Sequence, residues 1–256
     1  MSESPLKVWR DRDGRLLRLR LARPKANLID AEMIAALDEA FAGSLDMADL
    51  NGVLLDHEGP HFSFGASVEE HLPDQCADML KGLHRLVGRM VECPVPVLVA
   101  VRDQCLGGGL EVASAGGLIF AAPDAALGQP EIKLAVFAPA ASCLLPERVG
   151  RAHAEDLLFS GRSVTGEEAA AMGLVHTVAE DPEAAALAYF DERLAPLSAS
   201  SLRFAVRAVR AGFAARVKAR LAEVEELYGS GLMRTRDAVE GLEAFLEKRP
   251  AVWENR

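Results

Sequence analysis

The chain has 256 residues and a mass of 27.4 kDa, which excludes a small disulfide-stapled scaffold and leaves one large domain, or a domain with an appendage, open. Half of the residues are hydrophobic and 26% are charged, a composition that buries a large core and excludes disorder as a whole. With 28 Lys and Arg against 38 Asp and Glu, the net charge of −10 argues against nucleic acid as the main partner, because polyanion binding relies on positive surface.

In chain order, the opening from Met1 to Gly14 is charged throughout and lacks an apolar core. No secretory leader is expected, and the protein is read as cytoplasmic. Leu17, Leu19 and Leu21 alternate with Arg18 and Arg20 after an Asp13-Gly14 turn, the pattern of a half-buried strand that closes a hairpin. Asp30 is placed to cap a helix running to about Ala42, with Met33, Ile34, Leu37 and Phe41 inward. Val53-Leu54-Leu55 reads as a strand covered on both faces, and Met79, Leu83, Leu86, Val87 and Met90 mark a second helix. Two more buried strands are expected in Val95 to Val101 and Leu118 to Ala122. This stretch is interrupted by Arg102, Asp103 and Glu111, so no membrane span is expected. Strand and helix alternate to about Pro182, which favours an α/β fold. Beyond it, Ala184 to Leu194, Ser201 to Ala211, Arg216 to Tyr228 and Thr235 to Glu247 all read as helices. The expected organisation is a core over residues 1–182 and a helical region over residues 183–256. Cys76, Cys93, Cys105 and Cys143 form no C-x-x-C pair and are read as buried or free thiols.

Three short segments have the makings of a site. Gly107-Gly108-Gly109-Leu110-Glu111 follows a buried strand and opens an Ala-rich stretch, so bare amides stand at a helix start where a negative oxygen can bind. The glycines serve equally well for close helix packing, and Glu111 as a solvated first-turn acid. In Leu127-Gly128-Gln129-Pro130-Glu131-Ile132 a second acid has Leu127, Ile132, Leu134, Val136 and Phe137 around it. Desolvation there would raise its pKa toward the range useful for proton transfer, whereas in solvent it is an ordinary turn acid. In Phe62-Ser63-Phe64-Gly65-Ala66-Ser67 small residues again leave amides accessible. If the Ala66 and Gly108 amides converge, they form a two-donor oxyanion hole, although Gly65-Ala66 alone reads as a simple turn. His57 and His61 are separated by Gly59-Pro60, which forbids the helix a paired metal site would need, and no metal is expected. Arg203, Arg207 and Arg210, followed by Arg216 and Arg220, suit a solvated or subunit-contacting helix face.

These segments, with Arg23 to Asn27, Ser160-Gly161-Arg162 through Ala170 to Val175, and Phe245 to Arg249, occur in the order in which they occur in the enoyl-CoA hydratase/isomerase (crotonase) superfamily, which the chain resembles along nearly its whole length. The resemblance implies a spiral of β-β-α units with C-terminal helices that mediate trimers or dimers of trimers. It implies that Ala66 and Gly108 hold a thioester oxygen while Glu111 and Glu131 handle water and a proton, with coenzyme A entering as part of the substrate and no other cofactor. By the same resemblance Lys25, Ala26, Phe245 and Lys248 lie near the nucleotide. Phe64, Gly65, Ser67, Val68, Leu106, Gly107, Pro130, Phe137 and Pro139 then surround the acyl group, and Glu69, Glu70 and His71 start a mobile helix lining it. Ser67 replaces a frequent Asp, and Ala135 to Ser142 lacks the usual Pro-Gly-Gly turn. With His61 to Leu72, these departures are similar to the subfamily that hydrates cyclohexa-1,5-diene-1-carbonyl-CoA to 6-hydroxycyclohex-1-ene-1-carbonyl-CoA in anaerobic aromatic degradation. Hydration of linear 2-enoyl-CoA, or a non-catalytic member that binds acyl-CoA or RNA, remain the alternatives.

Overall fold

A computed structural model describes residues 4–44 and 47–256; Met1 to Glu3, where the argument against a leader begins, lie outside the described residues. Strands β1 (Leu6–Asp11) and β2 (Leu16–Leu21) form the expected hairpin, antiparallel with Leu6 opposite Leu21. Helix α1 (Ala31–Ser44) starts where Asp30 Oδ1 accepts from the Met33 amide at 3.0 Å, and it buries Met33, Ile34, Leu37 and Phe41. Strand β3 (Gly52–His57) then pairs parallel to β2, and helix α2 (Cys76–Val91) returns over the sheet. Strand β4 (Val97–Val101) continues the parallel sheet. It is followed by β5 (Gln104–Leu106), α3 (Gly108–Ala115), β6 (Leu118–Ala121) and β7 (Ala126–Gly128). The long α4 (Pro139–Ser160) bends at Gly150, and β8 (Ser163–Val164), α5 (Gly166–Ala171) and β9 (Thr177–Val178) complete the winding.

Six strands form one sheet in the order β1-β2-β3-β4-β6-β9, and three form another in the order β5-β7-β8. After β4 and again after β6 the chain leaves the large sheet for a short strand of the small one, then a helix: the β-β-α step repeated. The short strands β5, β7, β8 and β9 are absent from the sequence reading because two or three residues carry no resolvable alternation. Helix α4 is absent from it as well, since its apolar residues surround Pro146 and Gly150, both helix breakers by propensity.

The last third is helical: α6 (Pro182–Tyr189), α7 (Ala199–Glu226) and α8 (Arg236–Leu246), the last capped by Thr235 Oγ1 accepting from the Ala238 amide. Two helices expected across Ser201 to Tyr228 are one, α7, because Gly212 costs only about 1 kcal/mol in a helix interior and packing against α2 and α4 outweighs it. Of its arginines, Arg203, Arg210 and Arg220 are only partly exposed, whereas Arg207 and Arg216 are exposed as expected. Arg220 donates to the Ser142 carbonyl at 2.9 Å, Arg210 reaches the Cys93 carbonyl at 3.4 Å, Arg203 donates to the Met47 carbonyl, and Arg216 pairs with Glu147 at 2.7 Å. Packing also crosses residue 182: Phe190, just beyond α6, is buried with Leu16, Leu54, Leu98 and Phe120 on the sheet. Arg18, expected on a solvated strand face, is therefore buried under α6, donating to Asp56 and to Glu183 at 2.5 Å. All four cysteines are buried and unbridged. Among the described residues no helix is long and apolar enough to cross a membrane.

Candidate active site

The Phe62–Ala66 loop is held by backbone on both sides. The Ser63 amide donates to the Gln104 carbonyl (2.9 Å) and the Leu106 amide to the Ser63 carbonyl (3.0 Å), which lays the loop alongside β5. From the other side, Phe64 donates to the Ala26 carbonyl and Ile29 to the Gly65 carbonyl, both at 2.9 Å. Buried Ser63 adds a bond from its Oγ to the Asn27 carbonyl at 2.7 Å and accepts from the Gly65 amide at 3.0 Å. Gly65 has φ 106° and lies so near the next strand that a Cβ on it would stand 3.0 Å from the Leu106 carbonyl oxygen. A Cβ on Gly108 would meet the Ala66 nitrogen at 3.0 Å. The Ala66 and Gly108 amides are thus neighbours, and among the described residues neither donates to a backbone acceptor. The sequence reading joined these two positions, and the fold brings them together.

Glu111 lies in the first turn of α3 and is 3% exposed. Its Oε1 accepts from the Ala141 amide at 2.8 Å, where the N-terminus of α4 adds its partial positive charge. Burial still dominates and pushes the carboxyl up to about 7. Glu131 follows Pro130 in a single 3₁₀ turn, Pro130–Leu134, directly after β7. It keeps a partly exposed surface, but its carboxyl is closely surrounded. Burial, and then the neighbouring Glu111 charge, raise it to about 8. No Arg or Lys pairs with either acid among the described residues. Gly107, with φ 50°, is the floor beneath Glu131, since a Cβ there would lie 2.5 Å from Glu131 Oε1. The two carboxyls interact, so protons leave them in shared steps.

Of the remaining expected residues, Gly65, Leu106, Gly107 and Pro130 belong to this crease directly. Phe137 is partly buried against Tyr228, while Pro139, buried, opens the helix that supplies the Ala141 amide. Ser67 and Val68 lead on from Ala66, and the Ser67 carbonyl bonds His71 Nδ1 at 2.7 Å. Glu69 to His71 form one isolated 3₁₀ turn instead of starting a helix; α2 begins at Cys76, after Pro73. A proline there cannot extend the turn into α2. Phe64 is exposed, as is Lys25, whose φ of 98° turns the strap that presents Ala26 to the loop. Phe245 and Lys248 are exposed at the end of α8, away from the loop's hydrogen bonds. Helix α8 leans on the Glu131 turn: a Cβ on Gly241 would fall 2.2 Å from the Leu134 carbonyl oxygen.

Three further residues around the site were not singled out from the sequence. Ala141 acts through its amide alone, which no residue type signals. Gln129 is buried, and in the orientation that satisfies both groups its amide nitrogen reaches Glu131 Oε2 at 3.0 Å; its place two residues before the acid was the available sign. Tyr228 is wholly buried beside Phe137 with a hydroxyl that lacks a hydrogen-bond partner among the described residues. A cleft of about 730 Å³ between α7 and the end of α2 includes none of these residues. The perturbed acids and free amides, not cavity size, mark the chemistry. Among the described residues no group of three or more His, Cys, Asp or Glu is arranged to hold a metal.

Comparison with known proteins shows the family. The family profile described as enoyl-CoA hydratase/isomerase matches residues 11–256. A cyclohexa-1,5-dienecarbonyl-CoA hydratase from Thauera aromatica is 68% identical over 258 residues, covering all of both chains. A carnitinyl-CoA dehydratase from Salmonella typhi is 31% identical, again over all of both chains. An enoyl-CoA hydratase/isomerase structure from Pseudoalteromonas atlantica superimposes with a TM-score of 0.84 at 28% identity, covering 97% of this chain and 99% of that one. The spiral of β-β-α steps is the crotonase fold, and the chain belongs to the enoyl-CoA hydratase/isomerase family.

Proposed function

We propose that the chain hydrates cyclohexa-1,5-diene-1-carbonyl-CoA to 6-hydroxycyclohex-1-ene-1-carbonyl-CoA. The observation that carries this reading is a pair of glutamates with desolvated carboxyls, unpaired with any cation, beside two unengaged amides. The full-length likeness to the Thauera protein supplies the ring-shaped substrate.

The Ala66 and Gly108 amides donate to the thioester oxygen and stabilise the charge that develops on it. Glu111, favoured in its ionised form by the Ala141 amide, takes a proton from water as the water oxygen bonds to ring carbon 2, the β carbon. The carbon 1–carbon 2 π electrons pass to the thioester oxygen, giving a dienolate whose charge is shared through carbons 1 and 6 with carbon 5. Glu131, kept protonated by burial and by the Glu111 charge, delivers its proton to carbon 5. Two carbon–carbon π bonds are replaced by one between carbons 1 and 6, and renumbering makes the new hydroxyl carbon position 6. The step balances with water alone, without a metal or redox carrier. One proton shared by the pair is the state this chemistry requires.

Phe64, Gly65, Ser67, Val68, Leu106, Gly107, Pro130, Phe137 and Pro139 would line the acyl group. Lys25, Ala26, Phe245 and Lys248 would meet the nucleotide, a lysine ammonium being suited to phosphate. Residues 183–256 serve in this reading as the oligomerisation region of a homotrimer or dimer of trimers, and an acyl-CoA substrate implies a cytoplasmic location. The test is spectrophotometric turnover of the cyclic dienoyl-CoA against crotonyl-CoA by purified protein and by Glu111→Gln and Glu131→Gln. Hydration of the cyclic substrate, lost in both variants while the thioester still binds, is expected. Full activity in both variants, or turnover of crotonyl-CoA alone, overturns the assignment.

A further inference from the structure

Tyr228 is one of two tyrosines in the chain and sits on a π-helical turn, Leu227–Gly231, that continues α7. Its side chain is 0% exposed, packed among Cys76, Met79, Val136 and Met233. Its ring meets Phe137 edge to face, with centroids 5.3 Å apart. A phenylalanine would make the same apolar contacts. The hydroxyl, however, is buried with no partner among the described residues, an arrangement that costs stability unless something from outside the chain satisfies it.

The place of this wall indicates what that something is. Phe137 lies six positions after Glu131, and the Val136 amide donates to the Glu131 carbonyl at 3.3 Å, so the aromatic pair is continuous with the turn that carries the acid. Burial above all, and then the acids of the crease, hold the Tyr228 proton in place, so the hydroxyl is a donor.

We propose that Tyr228 is a specificity-determining residue: its hydroxyl donates a hydrogen bond to the oxygen being added to the ring, first as the attacking water and then as the product alcohol, while Tyr228 and Phe137 together form the aromatic wall against the ring. The inference rests on the ring-hydrating reading above. In that reaction the hydroxyl and the new hydrogen go to opposite corners of one ring, so a third group fixed in the wall can hold the oxygen while the two acids move protons. No atom of Tyr228 is consumed.

The test is Tyr228→Phe, which keeps the packing and deletes the donor. The variant is expected to lower kcat/KM for the cyclic dienoyl-CoA about tenfold, the scale of one neutral hydrogen bond. It should weaken binding of the 6-hydroxycyclohex-1-ene product thioester by a similar factor and leave cyclohex-1-ene-1-carbonyl-CoA, which lacks the hydroxyl, bound as before. Its melting temperature should be unchanged or higher. Equal turnover and equal product affinity in the variant, or equal weakening of both thioesters, overturns the proposal, as does a lowered melting temperature with activity intact, which would mark an internal partner. If the unmodified protein fails to turn over the cyclic diene, the ring-hydrating reading itself fails, and that result is distinct from any of these.

Discussion

Among the described residues, acids are buried in two places and treated in opposite ways. Between β2, β3 and α6, Asp56 is 2% exposed but meets Arg18, and Arg20 at 2.6 Å; Glu183 meets the same two arginines at 2.5 and 2.6 Å. The arginines in turn lie 4.9 and 5.4 Å from the Trp9 ring centroid. Although burial opposes it, these partners hold the Glu183 carboxyl below its ordinary value. In the Glu111–Glu131 crease there are no such partners, and both carboxyls are held above theirs. Burial of charge therefore does not identify a site. What does so is burial left without compensation, which the fold sustains only where the unsettled charge has work to do.

Substitutions that exchange these two conditions give the sharpest contrast. Glu111→Gln or Glu131→Gln is expected to lower kcat by about 10²–10⁴, the usual share of a proton-transferring group, with chemical denaturation midpoints unchanged or raised because a buried charge is gone. Asp56→Ala should do the reverse: about 3–5 kcal/mol of stability lost in urea titration through stranded arginines, with kcat of the folded fraction preserved. If Asp56→Ala left stability untouched, the compensation argument would be wrong. Gly107→Ala should cost about 1–3 kcal/mol through its positive φ and also depress activity by pushing Glu131 aside, which crystallography of the variant would reveal.

Most diagnostic is the pH dependence of melting. The two site carboxyls bind protons more tightly in the folded chain than in the unfolded one, where the ordinary value is 4.5. Their contribution to stability therefore falls as pH rises from about 4.5 through about 8. Glu183, shifted downward, contributes stability above its unfolded value of 4.5 and loses it as pH falls through its lowered folded value. Glu111→Gln should flatten the alkaline slope and also lower the titration of Glu131, measurable by infrared spectroscopy of its carboxyl band. Glu183→Gln should flatten the acid slope only. Slopes of one common sign would contradict the division drawn here.

Much of this was legible without coordinates. The parallel strands announce themselves as continuous apolar runs, and the capped α1 has its inward residues at helical spacing. Family resemblance pointed to Ala66 and Gly108, and the fold sets a Gly108 Cβ position against Ala66. What escaped the sequence reading has a common physical origin, in that it depends on partners remote in the chain. Arg18 alternates like a surface residue because its acid neighbours come from β3 and α6. The unbroken α7 depends on its packing partners, since propensity alone would end it near Gly212. Tyr228 reads as one more apolar residue on a helix until the missing partner of its hydroxyl is seen.

The contact of Gly108 with Ala66 makes the two adjacent amides unequal before mutation. Any residue but proline at position 66 still presents the same N–H, so that donor can persist while the chemistry of the side chain above it drifts. At position 108 even one methyl group would press on the Ala66 nitrogen from 3.0 Å. Position 108 is thus the tighter half of the pair, since a side chain there must displace Ala66, which leaves the walls around them as the ground on which a new substrate preference can be acquired.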